Sequence, residues 1–334
     1  MDLSTTYMGI NLPHPIVASA SPLSDSVDNI KRMEDAGAAA VVMFSLFEEQ
    51  IRHEAAAMEH FMSYGSESFP EALSYFPEVE DYHMGTEHYL DILREAAEAT
   101  DIPVIGSLNG ITNEGWIEYA QHMEQAGASA IELNIYYIPA DISVSGREVE
   151  ERYVEITRAV KQSVSIPVAL KLSAYFSSMG HMARQFDEAG ADALVLFNRF
   201  YQPDIDIDKL EVISNLNLSS ANQIRIRLLW IALLYGRVKA SLAATTGVHT
   251  SAEVIKYVMA GADAVMTTGA LLRNGIGYLS TLHKDLREWM ERKEYRSIEQ
   301  MKGSMSQQNV ADPTAFERAN YIKILERYKR PYEI

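Results

Sequence analysis

Residues 239–275 read KASLAATTGVHTSAEVIKYVMAGADAVMTTGALLRNG, and the reading of this stretch decides the fold. Residues 240–244 form a short apolar run, the pattern of a buried strand. The run breaks at Thr245-Thr246-Gly247. A helix is expected next, with Thr250 or Ser251 as its N-cap and Glu253 in its first turn. Ala260-Gly261-Ala262 ends that helix, and a second strand over residues 264–267 runs into Thr268-Gly269 and a further helix start. The unit is strand–helix–strand, with small, hydroxyl-bearing residues at both strand C-terminal ends. Backbone N–H groups at such turns suit a phosphate dianion. In a β/α barrel the last two strand–helix loops are the usual phosphate site. Tight turns in any parallel β/α protein need small residues, so one such turn says little and two in succession say more.

The same unit recurs along the chain. It reads MEDAGAAAVVMF at residues 33–44, MEQAGASAIELN at 123–134, FDEAGADALVLFN at 186–198 and VMAGADAVMTTG at 258–269. Each is a helix end, a glycine at or near C′, and a buried strand. Strands over residues 16–19, 103–108, 168–172 and 240–244 fill the gaps, and helices over 113–125, 147–162 and 178–188 lie between them. Eight apolar strands alternating with helices predict a (β/α)8 TIM barrel, an α/β fold, as a single domain over residues 1–334. A doubly wound open sheet would more often place a Gly-rich fingerprint after its first strand, and ASASPLSDS is not one. Two regions exceed a minimal barrel. Residues 47–86, after the second strand, are rich in Asp and Glu with Arg52 as the opposing cation. They also hold Phe61, Tyr64, Phe69, Tyr75, Phe76 and Tyr82, so an ordered lid over the barrel mouth is expected. Residues 278–334 read as a closing helix followed by a surface or partner-contacting tail.

Composition narrows the function. The chain has 334 residues, 47% of them hydrophobic, and no cysteine. Disulfides, thiolate metal sites and a cysteine nucleophile are therefore excluded. A formal net charge of −17 argues against nucleic acid as the main partner. No signal peptide and no apolar run of membrane-spanning length is visible, so a cytoplasmic protein with no membrane contact is expected.

Barrel active sites lie at strand C-terminal ends. Those ends offer Ser19-Ala20-Ser21, Phe44-Ser45, Ser107-Leu108-Asn109, Asn134 with Tyr136-Tyr137, Lys171, Asn198-Arg199, Thr246-Gly247 and Thr268-Gly269. This set is short of carboxylates and holds no Asp-His-Glu cluster, so no metal is expected. Lys171 sits in the apolar strand VALKLS, where a buried ammonium needs an anion or polar acceptor; a reduced flavin would supply one. The bland alternative is a lysine that snorkels at the outer edge. Asn109 and Asn134 each donate and accept, which suits a heterocycle edge or simple strand-end capping. A Tyr at the mouth could donate a proton or fill the core. His83, His88 and His249 read as isolated surface or loop histidines.

These motifs resemble the dihydroorotate dehydrogenase family of FMN-dependent barrels along most of the chain. NLPHPIVASASPLSDS is similar to the family's N-terminal strand along the flavin, which brings in Ala20 and Ser21. IGSLNG carries Asn109 where several members hold a flavin-contacting Asn. IELNIYYIP resembles the ELN-x-S-C/S-PN motif with Asn134 at its first Asn, ALKL puts Lys171 on the lysine that contacts the isoalloxazine, and LFNR puts Asn198 on a substrate-binding Asn. TTGV and TTGAL resemble the phosphate loops. The resemblance thus implies FMN, held at Ala20, Ser21, Ser45, Asn109, Asn134, Lys171, Thr246, Gly247, Thr268 and Gly269. It implies substrate contacts at Asn198 and, in the segment Tyr82-His83-Met84-Gly85-Thr86, at Met84 and Gly85.

The chain also departs from the family. Tyr137 stands where the family has its Cys or Ser base, and Ile138-Pro139 replaces the following Pro-Asn. Phe44 stands at the lysine of T-K-S, although Ser45 remains, and the region around NQIRIRLLW replaces a Gly-rich stretch. The expectation is an FMN-dependent oxidoreductase acting on a CH–CH group of a small ring or carbonyl substrate, with Tyr137 and Lys171 catalytic. Dihydroorotate oxidation, and with it a place in pyrimidine biosynthesis, is disfavoured. A flavin-binding or electron-transfer partner protein without substrate chemistry is the alternative. A homo-oligomer, with a redox partner protein, is expected.

Overall fold

The computed structural model describes residues 1–48, 85–110, 113–199, 202–213 and 217–329. The lid expected over residues 47–86, with Tyr82 and Met84, falls almost wholly outside them. The strands in chain order are β1 (Thr5–Tyr7), β2 (Ile10–Leu12), β3 (Ile16–Ala18), β4 (Val41–Phe47), β5 (Val104–Gly110), β6 (Ala130–Ile135), β7 (Val168–Leu172), β8 (Ala193–Leu196), β9 (Asp204–Asp206), β10 (Glu211–Ile213), β11 (Ser241–Ala244) and β12 (Ala264–Thr267). The helices are α1 (Val27–Asp35), α2 (Thr86–Ala99), α3 (Asn113–Gln125), α4 (Gly146–Ser163), α5 (Met179–Glu188), α6 (Arg225–Leu234), α7 (Ser251–Ala260), α8 (Gly269–Asn274), α9 (Tyr278–Arg292), α10 (Ile298–Met301) and α11 (Asn320–Lys329).

Eight parallel strands close into a barrel in the order β3-β4-β5-β6-β7-β8-β11-β12, with β12 pairing back onto β3. The (β/α)8 barrel expected from the repeats is the fold observed. The repeats work because each helix stops at a glycine with positive φ: Gly37, Gly127, Gly190 and Gly261. At Gly261, φ is +125°, and its N–H returns to the Tyr257 carbonyl at 3.1 Å. A side chain there would strain the turn that feeds the next strand. The start of α7 is also as expected. Thr250 is its N-cap and forms a capping box with Glu253.

Two cores follow from strand alternation. One lies between the sheet and the surrounding helices and includes Met33, Tyr89, Trp116, Phe186 and Tyr257. The other fills the barrel interior with Val17, Val42, Ile105, Val195, Met266 and a set of alanines, Ala130, Ala169, Ala193, Ala243 and Ala264. These small side chains leave room at the axis, and Tyr7, Met8 and Leu12 join the same cluster from below. They come from the antiparallel β1–β2 hairpin, which the sequence reading did not foresee. Its turn is Met8-Gly9, both at positive φ, so the usual Asn-Gly or Asp-Gly signature is absent. The β9–β10 hairpin was likewise not foreseen.

Candidate active site at the barrel mouth

Register brings the mouth residues into two rows. Ser45 is paired with Ser107, and Ser107 with Glu132. One step towards the mouth, Asn109 is paired with Asn134, and Asn134 with Lys171. In the first row the Ser45 and Ser107 hydroxyls meet at 2.8 Å. Asn109, Asn134 and Lys171 are all buried.

Lys171 Nζ donates to Glu132 Oε1 at 2.9 Å, and the two side chains are only 8% and 1% exposed. The snorkelling alternative is thereby excluded. The anion beside Lys171 is a carboxylate of the chain itself, which the sequence reading missed. Strand alternation was the available signal, because Glu132 lies two residues before Asn134 and shares its face. Among the described residues, Glu132 Oε2 has no hydrogen-bond partner, and neither has the buried Tyr7 hydroxyl. Burial holds the Tyr7 phenol well above its usual range, and the charges of Glu132 and Asp263 add to the effect. Tyr7 on the hairpin is therefore within electrostatic reach of Glu132, which is bonded to Lys171.

Above it, Asn198 Nδ2 donates to Asn134 Oδ1 at 2.9 Å, while Asn198 Oδ1 accepts from the Arg199 amide. The end of β8 is held from α6, where the Arg227 guanidinium donates to the Phe197 carbonyl at 3.2 Å. The structure thus brings together Ser45, Asn109, Asn134, Lys171 and Asn198. Ala20 is half-buried at the end of β3. The Ser21 hydroxyl accepts from the Leu23 amide at 3.3 Å, capping a short 3-10 turn. Tyr137 is half-buried against the outer core, with the Arg152 guanidinium of α4 5.1 Å from its ring centroid. Gly85 is the N-cap of α2, and Met84 lies outside the described residues. Phe44 turns outward and packs edge-on against Tyr89 at 4.9 Å. A second carboxylate that sequence reading passed over, Glu48, is buried just beyond β4. Its Oε2 lies 2.7 Å from where a Cβ on Gly110 would stand.

The two glycine turns form the other side of the mouth. Thr246 has φ +76° and Gly247 φ +79°. The Thr246 hydroxyl donates to the Phe197 carbonyl at 3.1 Å, and the Thr268 hydroxyl to the Ser19 carbonyl at 3.2 Å. Both hydroxyls therefore pin the turns, which leaves backbone amides as the ligand-facing donors. The Gly247 amide donates to Ser219 Oγ at 3.2 Å, and a Cβ on Gly269 would lie 3.3 Å from the same oxygen. His249 Nε2 and Arg273 Nη2 donate to the Ser219 carbonyl at 2.6 and 3.2 Å. His249 is thus tied into the turn and is not the isolated loop residue the sequence suggested. Ser219, His249 and Arg273 are close only through the fold, so no local motif announced them.

Among the described residues, no group of three or more His, Asp or Glu side chains could hold a metal ion. No described helix is long and apolar enough to cross a membrane.

Comparison with known proteins places this geometry in context. The sequence model of the dihydroorotate dehydrogenase family matches residues 82–290. The catalytic subunit of dihydroorotate dehydrogenase B (NAD(+)) from Thermoplasma volcanium is 28% identical over 308 residues, covering 90% of this chain and 98% of that protein. The protein of the same name from Methanocaldococcus jannaschii is 26% identical over 284 residues, 82% of this chain and 88% of its own.

Proposed function

Because the chain belongs to the dihydroorotate dehydrogenase family of oxidoreductases, we propose that it is an FMN-dependent oxidoreductase acting on a CH–CH group of a small ring or carbonyl compound. Bound FMN would supply hydride exchange between its N5 and a substrate carbon. The observation that carries this reading is the buried Lys171–Glu132 pair, in which Lys171 stands in register with Asn134, itself bonded to Asn198. A lysine held this deep beside polar amides is a preorganised cation for the electron-rich edge of a heterocycle.

The residues present fit the cofactor. Asn109, Asn134 and Ser45 offer donors and acceptors to the ring, with Ala20 and Ser21 alongside. The phosphate would take up the Gly247 and Gly269 amides between the Thr246 and Thr268 turns. Ser219 Oγ now accepts from the first of these amides, as a phosphate oxygen would. His249 and Arg273 converge on the same spot, Arg273 supplying positive charge and His249 a ring N–H donor. Asn198 orients the substrate, and Met84 and Gly85 are the other substrate contacts of this reading. For the proton that accompanies the hydride the family position points to Tyr137, although its ring packs against the outer core beside Arg152 and not with the mouth residues. A phenol can donate a proton as the hydride arrives, which suits substrate reduction. Dihydroorotate is a poor substrate on this reading, since Tyr137 and Pro139 replace groups that the family uses. The protein works as a homo-oligomer, and a separate redox protein supplies the electrons that substrate reduction consumes.

The test is direct. Purified protein incubated with FMN acquires flavin absorption bands, and candidate substrates are then screened for bleaching or restoring them. Tyr137→Phe leaves FMN binding intact and lowers substrate-dependent turnover by about 10²–10⁴-fold. Absence of flavin bands in excess FMN defeats the cofactor assignment. Full activity in Tyr137→Phe moves the proton to another group, with Tyr136→Phe as the paired control.

A further inference from the structure

Glu132 Oε2 and the Tyr7 hydroxyl, both buried and both without a hydrogen-bond partner among the described residues, come from opposite ends of the barrel. Glu132 stands on β6 two residues before Asn134, on the face that lines the interior. Tyr7 rises from the floor on β1 and belongs to the interior cluster. Among charges, that of Glu132 acts on the Tyr7 phenol most strongly, and together with burial it keeps the phenol protonated. One end therefore offers a carboxylate oxygen, which accepts, and the other a hydroxyl, which can donate.

The side chains around Glu132 are small. Ala130 is one step down the same face of β6, and Ala169 is the register partner of Glu132 on β7. Ala193 pairs with Ala169 from β8. All three are completely buried and share the interior cluster with Tyr7. Methyl groups at these positions stop short of the axis and can bond neither polar atom.

The register row through Glu132 is polar at both ends. It runs Ser45, Ser107, Glu132, Ala169, Ala193, Ser241. Ser45 lies towards the C-terminal end of β4, whereas Ser241 is the first residue of β11. Barrel strands tilt, so the row descends across the interior from mouth to floor. At the floor, Ser241 Oγ accepts from the Met8 amide of the hairpin at 3.1 Å. At the upper end, the Ser45–Ser107 pair spends one of its two hydroxyl protons on its own 2.8 Å bond. The other proton remains to be given, beside Glu132. An acceptor, a donor and a spare hydroxyl next to a wall of alanine make the setting of a buried water, which forms about three hydrogen bonds. A dry axis would leave two buried polar atoms unsatisfied, a cost that native interiors seldom carry.

We propose that ordered water on the barrel axis bridges the Tyr7 hydroxyl to Glu132 Oε2, so that the floor hairpin positions Lys171 at the mouth. The water accepts from Tyr7 and donates to Oε2. Oε1 is then kept for Lys171 Nζ, which donates to it at 2.9 Å. Tyr7 and Glu132 are positioning residues, and neither touches substrate. The inference rests on the function proposed above only for what Lys171 then holds, and its test uses FMN-free protein.

Crystals of that protein at atomic resolution show continuous water density from the Tyr7 hydroxyl to Glu132 Oε2, with contacts of about 2.6–3.2 Å. Thermal unfolding gives a sign. Removing an unpartnered hydroxyl from a core raises the midpoint, whereas removing one that holds a bridge lowers it. Tyr7→Phe lowers the midpoint by about 1–4 °C while far-UV circular dichroism is unchanged. The relay to the mouth is read at Lys171 itself. In isotope-labelled protein, the side-chain ammonium resonance that vanishes in Lys171→Arg shifts in Tyr7→Phe, although residue 7 lies at the other end of the barrel. Absence of water density on the axis overturns the proposal. So does a midpoint unchanged or raised in Tyr7→Phe, or a Lys171 resonance that Tyr7→Phe leaves in place. A chain that takes up no FMN yet passes all three tests loses the proposed function and keeps the bridge.

Discussion

The two ends of the barrel bury ionisable groups to opposite effect. At the N-terminal end, just ahead of β3, His14 is buried with Nδ1 accepting from the Ile16 amide at 3.2 Å. Its ring lies 4.5 Å from that of His283. Burial, reinforced by His283, depresses its pKa to about 4, so it sits in the fold as a neutral ring. Nearby, a cleft of about 590 Å³ is lined by Asp263, Glu299 and Lys302. There Lys302 reaches Asp263 at 2.9 Å and Glu299 at 2.8 Å, so the cation is matched twice. At the mouth, Lys171 has one carboxylate, and that carboxylate keeps an oxygen unpaired. His14 and Lys302 at the closed end are neutralised or matched, whereas Glu132 beside Lys171 retains an unused oxygen, a character it shares with the Tyr7 hydroxyl that reaches up to it from the floor. A site that awaits a polar ligand has that character, and a structural end does not.

The sharpest way to break this contrast is at Lys171. In FMN-free protein, Lys171→Met strands Glu132 and should lower unfolding free energy in urea by about 3–5 kcal/mol. Adding Glu132→Gln in the same chain should recover most of that loss. If the double variant is as unstable as the sum of the singles, the pair is not coupled and the mouth loses its distinguishing feature. The closed end is probed by pH. His14 is neutral in the fold, and its unfolded counterpart takes up a proton near pH 6.5. Stability from this burial is therefore complete above pH 6.5 and is lost as pH falls from 6.5 towards 4. The loss is up to about 3 kcal/mol, and His14→Gln should flatten the slope in that window. Identical slopes in parent and variant would show that His14 is not held neutral. The smallest effect separates the two glycine turns. Gly247→Ala puts a Cβ at φ +79° and 2.7 Å from Ile224 Cγ2. It should destabilise by about 1–3 kcal/mol. Gly269→Ala meets its nearest neighbour, His249 Cε1, at 3.2 Å without positive φ, and should perturb the thermal midpoint less. Equal effects would mean that the second turn is as constrained as the first.

How much of this was legible in sequence depended on whether the signal was local. The helix–Gly–strand repeat is local, because a helix stop at positive φ and a buried strand are both written within a dozen residues. The barrel and the eight strand ends followed from it. Lys171 was legible because an ammonium in VALKLS contradicts its surroundings. Glu132 was hidden in plain view in IELN, since a motif draws the eye to the Asn and away from a carboxylate two residues earlier. Ser219, His249 and Arg273 were out of reach, for their convergence depends on the loop before α6 crossing to the last two turns. Both hairpins were missed because three-residue strands with Met-Gly or Lys-Leu at the turn carry no periodic or turn signature.

The pairing of β12 with β3 has a consequence for how this protein is made. Ile16 stands opposite Val265, and the Thr268 hydroxyl reaches the Ser19 carbonyl across 249 residues of chain. On the ribosome the first barrel strand is finished early, and its second neighbour does not exist until the last strand emerges. For roughly 10–50 s at ordinary translation rates the nascent chain carries an open sheet edge. Such an edge invites pairing with other chains. The β1–β2 hairpin, synthesised ahead of the barrel strands and needing no distant partner for its own ladder, is ready to occupy the barrel floor when the seam finally closes.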